Sequence, residues 1–303
     1  MSRMPTEFGQ LFVLGFPGEQ LPPDFMEFVG NRQIGGVILF EENCQGFAQT
    51  RSSIEQIVEL YDRSTPIIAI DQEGGRVCRL RGAPAEFKSP ADYAKANEIE
   101  HYIEDYRRAA MYMASLGINL NLTPVADLQL EENNSCLEGR CFGKEPAEAI
   151  PFIEATIEVS RNQGLLSCAK HFPGLGAATV DPHQAETTAD YDLETWKNRE
   201  RSTFAAAVEA GVDLIMTTHL SVPKIDFDIT TSSRAIVTDL IRNDLRFEGP
   251  VISDDLLMSG AEPLGDIGER AVRAFLAGHD LLLICKDYHK AIAAYDYFAK
   301  AVV

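Results

Sequence analysis

The chain has 303 residues, 45% of them hydrophobic and 24% charged, which suits a globular protein with one large α/β domain or two medium ones. Its 27 basic and 46 acidic residues give a formal net charge of −19, which argues against nucleic acid or an anionic membrane as the main partner, because phosphate binding needs clustered Lys and Arg. No apolar run approaches the roughly 20 residues of a membrane span, and segment 1–16 is a poor secretory signal.

Short β-rich apolar runs recur along the chain and alternate with amphipathic helical patterns. The runs are apolar throughout, as expected of strands buried on both faces of a parallel sheet. The predicted strands are 11–16, 35–40, 66–71, 118–128, 165–172, 213–219, 249–256 and 280–287. The predicted helices include 103–116, 146–163, 193–210, 268–277 and 288–303, and several end before a glycine that suits a left-handed helix cap: Gly117, Gly164, Gly211 and Gly278.

Eight successive β-then-α units predict a (β/α)₈ TIM barrel, a fold of about 250 residues. We expect one catalytic domain over residues 1–303, since no linker or shift of composition divides the chain. One segment favours the alternative fold, a doubly wound sheet: "GLGAAT" matches part of a dinucleotide-binding loop. Thr179 stands at the third glycine of that pattern, and no immediate turn into a helix follows the strand, so we reject this alternative.

Polar residues collect where the predicted strands end. In a TIM barrel these ends and the following loops carry the catalytic groups. Polar side chains at so many strand ends on one rim are hard to explain by packing alone. They are Asp71 after the third strand, Arg140 in the loop after the fourth, Lys170 and His171 at the fifth, His219 at the sixth, and Asp254 and Asp255 at the seventh.

Each of these residues also has a structural interpretation. Asp71 or Glu73 could cap the next helix, and one of the adjacent Asp254 and Asp255 could do the same. Two neighbouring carboxylates repel each other, however, and a purely structural site rarely needs both. A histidine placed like His219 is most often structural.

The segment "AKHFPGLGAATVDPHQ" (169–184) adds a second pair of titratable groups to the fifth strand end. Asp181 and His183 are two residues apart, so in an extended segment their side chains lie on the same side. A carboxylate beside an imidazole fixes its tautomer and raises its pKa, which suits a general acid–base near neutral pH. The alternative is a polar surface loop.

The six cysteines are scattered and form no C-x-x-C pair. This pattern is typical of reduced thiols in a cytosolic protein and does not indicate a zinc site. The sequence therefore predicts a cytoplasmic protein without disulfides or a bound metal. The cysteines are Cys44, Cys78, Cys136, Cys141, Cys168 and Cys285.

Four segments together resemble the signature blocks of glycoside hydrolase family 3. They are "IDQEGGRVCRLR", "EGRCFG", "AKHFPGLGAATVDPH" and "VISDDLLMSGA", in that order. More narrowly, the chain is similar to the single-domain bacterial β-N-acetylhexosaminidases of peptidoglycan recycling. Leu175 and Pro182 depart from the pattern, because many relatives have histidine and serine at these positions.

The resemblance implies a role for each matching residue. Asp254 corresponds to the nucleophile, His183 to the acid–base residue and Asp181 to its orienting partner. The implied enzyme is a retaining glycosidase without a metal or organic cofactor, acting on small muropeptide fragments. The residues implied to bind the N-acetylglucosamine unit are Asp71, Arg79, Arg140, Lys170 and His171.

Three other functions remain open from the sequence. Since a neutral histidine repels phosphate less than a carboxylate does, the enzyme could transfer the sugar to phosphate instead of water. A β-glucosidase of the same family is the second alternative, and a non-catalytic sugar-binding barrel is the third. We further expect a monomer with no nucleic-acid or membrane partner.

Overall fold

The computed structural model describes residues 6–62, 64–131, 134–178 and 186–302. Eight strands pair in parallel in one sheet, and an isolated parallel bridge between Ile252 and Leu281 joins its two ends. The predicted (β/α)₈ barrel is therefore confirmed. The strands are β1 (Phe12–Leu14), β2 (Gly36–Leu39), β3 (Ile67–Ile70), β4 (Leu120–Asn121), β5 (Leu166–Phe172), β6 (Leu214–Thr217), β7 (Val251–Ile252) and β8 (Leu282–Ile284). Along the sheet they follow the order β7-β6-β5-β4-β3-β2-β1-β8.

Helices surround this sheet, and most follow the predicted units. A π-helical segment, Ala235–Asp244, takes the place of the helix after β6. The α-helices are α1 (Pro23–Arg32), α2 (Phe47–Val58), α3 (Pro90–Ala96), α4 (Ile99–Leu116), α5 (Pro146–Asn162), α6 (Leu193–Asn198), α7 (Glu200–Glu209), α8 (Ile267–Ala277) and α9 (Tyr288–Ala301). Short 3₁₀ segments cover Thr6–Leu11, Glu41–Asn43, Thr230–Ser232 and Ser259–Leu264, and a small second sheet contains Thr187–Thr188, Leu220–Val222 and Asp226–Ile229.

Two predicted elements differ from the structure. The fourth strand is regular only at Leu120–Asn121, because Pro124 has no N–H with which to continue the ladder. The Pro124 carbonyl still accepts a hydrogen bond from the Lys170 N–H at 3.1 Å, so the segment stays beside β5. The predicted helix 193–210 is divided at Arg199, whose backbone angles of φ −129° and ψ −85° are not helical.

The core has two layers because alternate strand residues face opposite sides of the sheet. Val13, Ile38 and Ala69 contribute to the cluster inside the barrel, where all three are almost fully buried. Phe12 and Leu14, the neighbours of Val13, instead pack in the larger cluster between the strands and the helices. Burial on both faces explains why the strand segments contain almost no polar residues before their C-terminal ends.

The helix ends and the thiols follow the sequence predictions. Gly117 and Gly278 end α4 and α8 with φ angles of 97° and 117°, in the left-handed region that favours glycine. No disulfide joins any of the cysteines in the part of the chain that the structure describes. Within the described ranges, no helix has the length and apolar character needed to cross a bilayer.

Candidate active site

The C-terminal ends of the barrel strands open into a cavity of about 550 Å³. Six of the eight site residues expected from the sequence line it, and they come from the ends of four strands and the loops that follow them. Asp181 and His183 lie outside the described residues, as does Pro182. The six residues at the cavity are Asp71, Arg79, Arg140, Lys170, His171 and Asp254.

Glu73 forms the centre of a buried charge network. Its two carboxylate oxygens accept hydrogen bonds from the Arg140 guanidinium at 2.7 and 2.8 Å. The Lys170 ammonium lies 2.7 Å from the same carboxylate. Burial alone would raise the pKa of Glu73, but the two cations outweigh it and hold the pKa well below its usual range. The carboxylate thus remains charged and fixes both cations at the wall of the cavity.

The two cations keep their charges for the same reason. Burial would lower the pKa of Lys170, but the carboxylates of Asp71 and Glu73 outweigh burial and raise it. For Arg140, burial would again lower the pKa, and Glu73 makes the largest opposing contribution. Lys170 is only 2% exposed and Arg140 7%, so two desolvated cations line a cavity that is open to ligands.

Asp71 lies at the end of β3, between two cations. Its carboxylate accepts a 2.6 Å hydrogen bond from Lys170, and Arg79 approaches it at 3.5 Å. Burial would raise the pKa of Asp71, but Lys170 and Arg79 lower it overall. Asp71 is therefore an ionised hydrogen-bond acceptor at the cavity wall, with about 16% of its side chain exposed.

The turn after β3 explains why both acidic residues of "DQEGGR" reach the cavity. Gly74 has a φ of +94°, and a Cβ atom there would lie 2.4 Å from the Lys88 carbonyl oxygen. The intervening Gln72 side chain turns the opposite way, where it donates to the Ala85 carbonyl at 2.7 Å. The interpretation of Glu73 as a helix cap is wrong, because Arg140 and Lys170 occupy its carboxylate.

His171 is held by a residue that the sequence analysis did not single out, Asp127. The Asp127 carboxylate lies 2.6 Å from His171 Nδ1, while Nε2 lies 3.3 Å from the Arg140 guanidinium. Since a carboxylate only accepts here and a guanidinium only donates, the imidazole carries its proton on Nδ1. The other Asp127 oxygen accepts from the Leu175 N–H at 2.7 Å. Asp127 therefore links His171 to the beginning of the loop that leads to His183.

Asp127 and Glu73 could both have been found by the rule that located the other residues. Each is an acidic residue near the end of a predicted strand, Glu73 two residues beyond Asp71 and Asp127 within the predicted strand 118–128. Leu175, one of the two departures from the family pattern, is 1% exposed. It packs within the hydrophobic core.

The two adjacent aspartates after β7 have different surroundings. One oxygen of Asp255 accepts the N–H groups of Leu257 and Cys285 at 3.0 and 3.1 Å. Burial raises the pKa of Asp255. Asp254 accepts only the Asp255 N–H, at 2.8 Å, among the hydrogen bonds of the described residues. Asp255 thus shapes the backbone, and Asp254 is the carboxylate available to a ligand.

His219 contacts the backbone of Asp255 and helps to hold the two aspartates in place. Its Nε2 donates to the Asp255 carbonyl oxygen at 2.9 Å, so its Nδ1 accepts from the Thr231 hydroxyl at 2.6 Å. Burial lowers the pKa of His219, which keeps the ring neutral. The structural interpretation of His219 is therefore the correct one.

The chain is similar to known proteins in both sequence and fold. Residues 5–303 match the family model of the glycosyl hydrolase family 3 N-terminal domain. The β-hexosaminidase of Idiomarina loihiensis is 30% identical over 94% of this chain and 86% of its own length. The structure of NagZ from Neisseria gonorrhoeae in complex with N-trifluoroacetyl-D-glucosamine superposes with a TM-score of 0.87 at 26% identity, over 95% of this chain and 84% of that one. A family 3 β-N-acetylglucosaminidase from a Paenibacillus species superposes with a TM-score of 0.94 at 28% identity. The superposition covers 99% of this chain and 58% of that protein.

Proposed function

The chain belongs to glycosyl hydrolase family 3 and is a glycoside hydrolase, and from this we propose that it is a retaining β-N-acetylhexosaminidase that releases terminal β-linked N-acetylglucosamine. The observation that carries the proposal is the cavity in which the carboxylate of Asp254 accompanies the cations Lys170 and Arg140. The relatives named β-hexosaminidase and β-N-acetylglucosaminidase support the choice of sugar.

Asp254 is the proposed nucleophile. Its attack on the anomeric carbon forms a covalent glycosyl-enzyme as the bond to the leaving group breaks. The Asp255 N–H donates to one Asp254 oxygen, which orients the carboxylate and leaves an oxygen for attack. Asp255 suits this role poorly, because two backbone N–H groups already occupy one of its oxygens.

His183 is the proposed acid–base residue, oriented by Asp181. In the first step protonated His183 gives its proton to the departing oxygen. In the second step neutral His183 removes a proton from water, which attacks the anomeric carbon and frees Asp254. This assignment rests on the family motif. The hydrogen bonds that anchor the beginning of the loop, from Leu175 to Asp127 and from Trp196 to the Pro173 carbonyl, support it indirectly.

The proposed sugar-binding residues suit a neutral hydroxyl-rich ligand. Lys170 and Arg140 provide charged donors, and charge-assisted hydrogen bonds are about twice as strong as neutral ones. Asp71 provides an ionised acceptor beside them. Because Glu73 holds both cations before any ligand arrives, little reorganisation is needed on binding. Arg79 and His171 complete the proposed set.

The proposed natural substrates are peptidoglycan fragments, N-acetylglucosamine linked to 1,6-anhydro-N-acetylmuramic acid, with or without a peptide. The support is the similarity to NagZ, and to the Mycobacterium tuberculosis protein LpqI at 26% identity with a TM-score of 0.87. The monomeric state, the cytoplasmic location and the single domain over residues 1–303 stay predictions of the sequence.

The decisive experiment compares p-nitrophenol release from the β-N-acetylglucosaminide and the β-glucoside. We expect the first substrate to be strongly preferred and free N-acetylglucosamine to form both with and without phosphate. A faster β-glucoside would contradict the choice of sugar, and N-acetylglucosamine 1-phosphate as product would show phosphorolysis. If the wild-type protein binds the sugar but turns over neither substrate, the barrel is a non-catalytic binder.

The matched variants Asp254→Asn and Asp255→Asn test the nucleophile. Both remove one carboxylate charge from neighbouring positions, so general electrostatic effects on the cavity are similar. We expect only Asp254→Asn to abolish turnover. Normal activity in Asp254→Asn, with the loss in Asp255→Asn instead, would reverse the assignment.

A further inference from the structure

Lys286 lies at the end of β8 and lines the same cavity, but none of the proposed catalytic steps uses it. We propose that Lys286 binds an anionic group in the leaving-group part of the substrate. This inference rests on the proposed function and deepens it by naming the charge of the preferred substrate.

The first observation is the wall formed by Lys286, Phe40 and Arg79. The Lys286 ammonium lies 5.1 Å from the centre of the Phe40 ring, and the Arg79 guanidinium carbon lies 5.4 Å from the same centre. An aromatic ring attracts cations to its face, so Phe40 contacts two cations at the cavity. The Lys286 ammonium is therefore held at the wall of the cavity, where an anionic group of a ligand can reach it.

The second observation is the charge balance of the cavity. Lys170 and Arg140 are paired with Glu73, and Arg79 approaches Asp71. Lys286 has no carboxylate within 4.0 Å among the residues that the structure describes. Lys286 therefore differs from the three other cations at the cavity that have a carboxylate partner. A neutral sugar would leave this positive charge without a counter-charge.

The third observation is the backbone at Lys286. Its φ is 48°, in the left-handed region that non-glycine residues rarely adopt. Such conformations persist where the surrounding structure requires them and cluster at ligand sites. The preceding residue, Cys285, donates its N–H to the Asp255 carboxylate at 3.1 Å. The residue directly before Lys286 is therefore held by the neighbour of Asp254.

These observations place the anionic group on the leaving group. The N-acetylhexosamine that Asp254 attacks is neutral in the proposed reaction, so a negative charge has to belong to the part that departs. The chemical class is a carboxylate, which peptidoglycan fragments carry on the lactyl ether of muramic acid or, in its amide-linked form, on the attached peptide. Lys286 is then a specificity-determining residue for acidic leaving groups.

The test uses one disaccharide in two charge states. The probes are N-acetylglucosaminyl-β-1,4-N-acetylmuramic acid with its free lactyl carboxylate, and the same disaccharide with that group as the neutral amide. The glycosidic bond is identical in both, so the ratio of kcat/KM for acid and amide reports recognition of the charge. For the wild-type protein at low ionic strength we expect a ratio of roughly five to ten. The ratio should fall as salt is added, since exposed charges are screened.

Variants of Lys286 assign this ratio to one side chain. Lys286→Gln should bring it close to one, Lys286→Glu should bring it below one, and Lys286→Arg should preserve the preference. Lys290→Gln is the matched control, since Lys290 is equally basic, lies four residues away in α9 and is 62% exposed at its side chain. Its ratio should equal that of the wild-type protein.

The outcomes separate this inference from the proposed function. If the wild-type protein releases N-acetylglucosamine from both disaccharides at equal rates, the proposed function stands and the inference is wrong. A preference that persists in Lys286→Gln also overturns it. If neither disaccharide nor the p-nitrophenyl β-N-acetylglucosaminide is cleaved while the β-glucoside is, the proposed function itself fails.

Discussion

Replacing Glu73 by glutamine should weaken both the fold and the proposed sugar site. In the wild-type protein the carboxylate receives Arg140 at 2.7 and 2.8 Å and Lys170 at 2.7 Å, with only 3% of Glu73 exposed. Glutamine has almost the same shape, but it lacks the charge and turns one acceptor into an NH₂ donor that faces a cation. Removing one partner of a buried ion pair costs about 3–5 kcal/mol, and this is the loss of unfolding free energy that we expect at pH 7.

Chemical denaturation of Glu73→Gln measures this loss, and Glu98→Gln is its matched control. Glu98 also pairs with a lysine, Lys88, at 3.0 Å, but the two side chains are 32% and 58% exposed. Such surface pairs contribute about 0–1 kcal/mol. The same substitution at the two positions should therefore differ in effect by several-fold.

The pH dependence provides a second test of the Glu73 variant. The cations hold the pKa of Glu73 in the folded protein below its ordinary value of 4.5. Near pH 4.5 the unfolded chain therefore binds more protons than the folded protein. The stability that ionised Glu73 contributes is complete above this pH and declines as the pH falls towards and through the folded-state pKa. The difference in stability between the wild-type protein and Glu73→Gln should be constant near neutral pH and should narrow below about pH 4.5.

Activity completes the comparison. Without Glu73, Arg140 and Lys170 are no longer held at the cavity, so kcat/KM should fall by roughly 100-fold, which corresponds to one or two charged hydrogen bonds. An equally small loss of stability in Glu73→Gln and Glu98→Gln would contradict the stabilising role of the buried network. Unchanged kcat/KM in a destabilised Glu73→Gln would show that the network supports the fold alone.

The remaining predictions concern the proposed chemistry. Asp254→Asn should abolish steady-state turnover while its circular dichroism and unfolding midpoint stay near those of the wild-type protein. Asp255→Ala should instead lose about 1–3 kcal/mol of stability, measured by denaturation, because two backbone N–H groups lose their acceptor. Lys170→Ala should weaken transition-state stabilisation, measured through kcat/KM, by several kcal/mol, and an unchanged kcat/KM would mean that Lys170 only packs the rim. His183→Ala should lose about 10²- to 10⁴-fold in rate with sugar leaving groups but much less glycosylation with dinitrophenol. Its glycosyl-enzyme on Asp254 should accumulate as a mass increase, and equal losses for every leaving group would contradict the acid–base role.

The barrel could be predicted because its determinants are local in the chain. A strand buried on both faces needs a short, wholly apolar run, and a helix that ends before a strand favours glycine; both signals are readable within about ten residues. The same rule located the polar strand ends. The predicted bounds were wrong at 118–128 and 193–210, where the single residues Pro124 and Arg199 interrupt otherwise regular patterns.

The contacts within the site could not be predicted in this way. Glu73 and Arg140 are 67 residues apart, and Asp127 and His171 are 44 apart. Which acidic residue meets which base depends on how the strands stand side by side around the barrel. A carboxylate that caps a helix and one that holds two cations have the same sequence signal, so Glu73 looked as much like a cap as like a site residue.

Asp254 and Asp255 show most clearly what only the tertiary structure decides. They are chemically identical and adjacent, so composition and spacing predict that a carboxylate lies at the end of β7 but do not distinguish between the two. The difference comes from the N–H of Cys285, 30 residues later in the chain. It occupies an Asp255 oxygen because β8 lies next to β7 where the barrel closes. Asp254, one residue earlier, accepts only the Asp255 N–H among the hydrogen bonds of the described residues, so its carboxylate can accept a ligand.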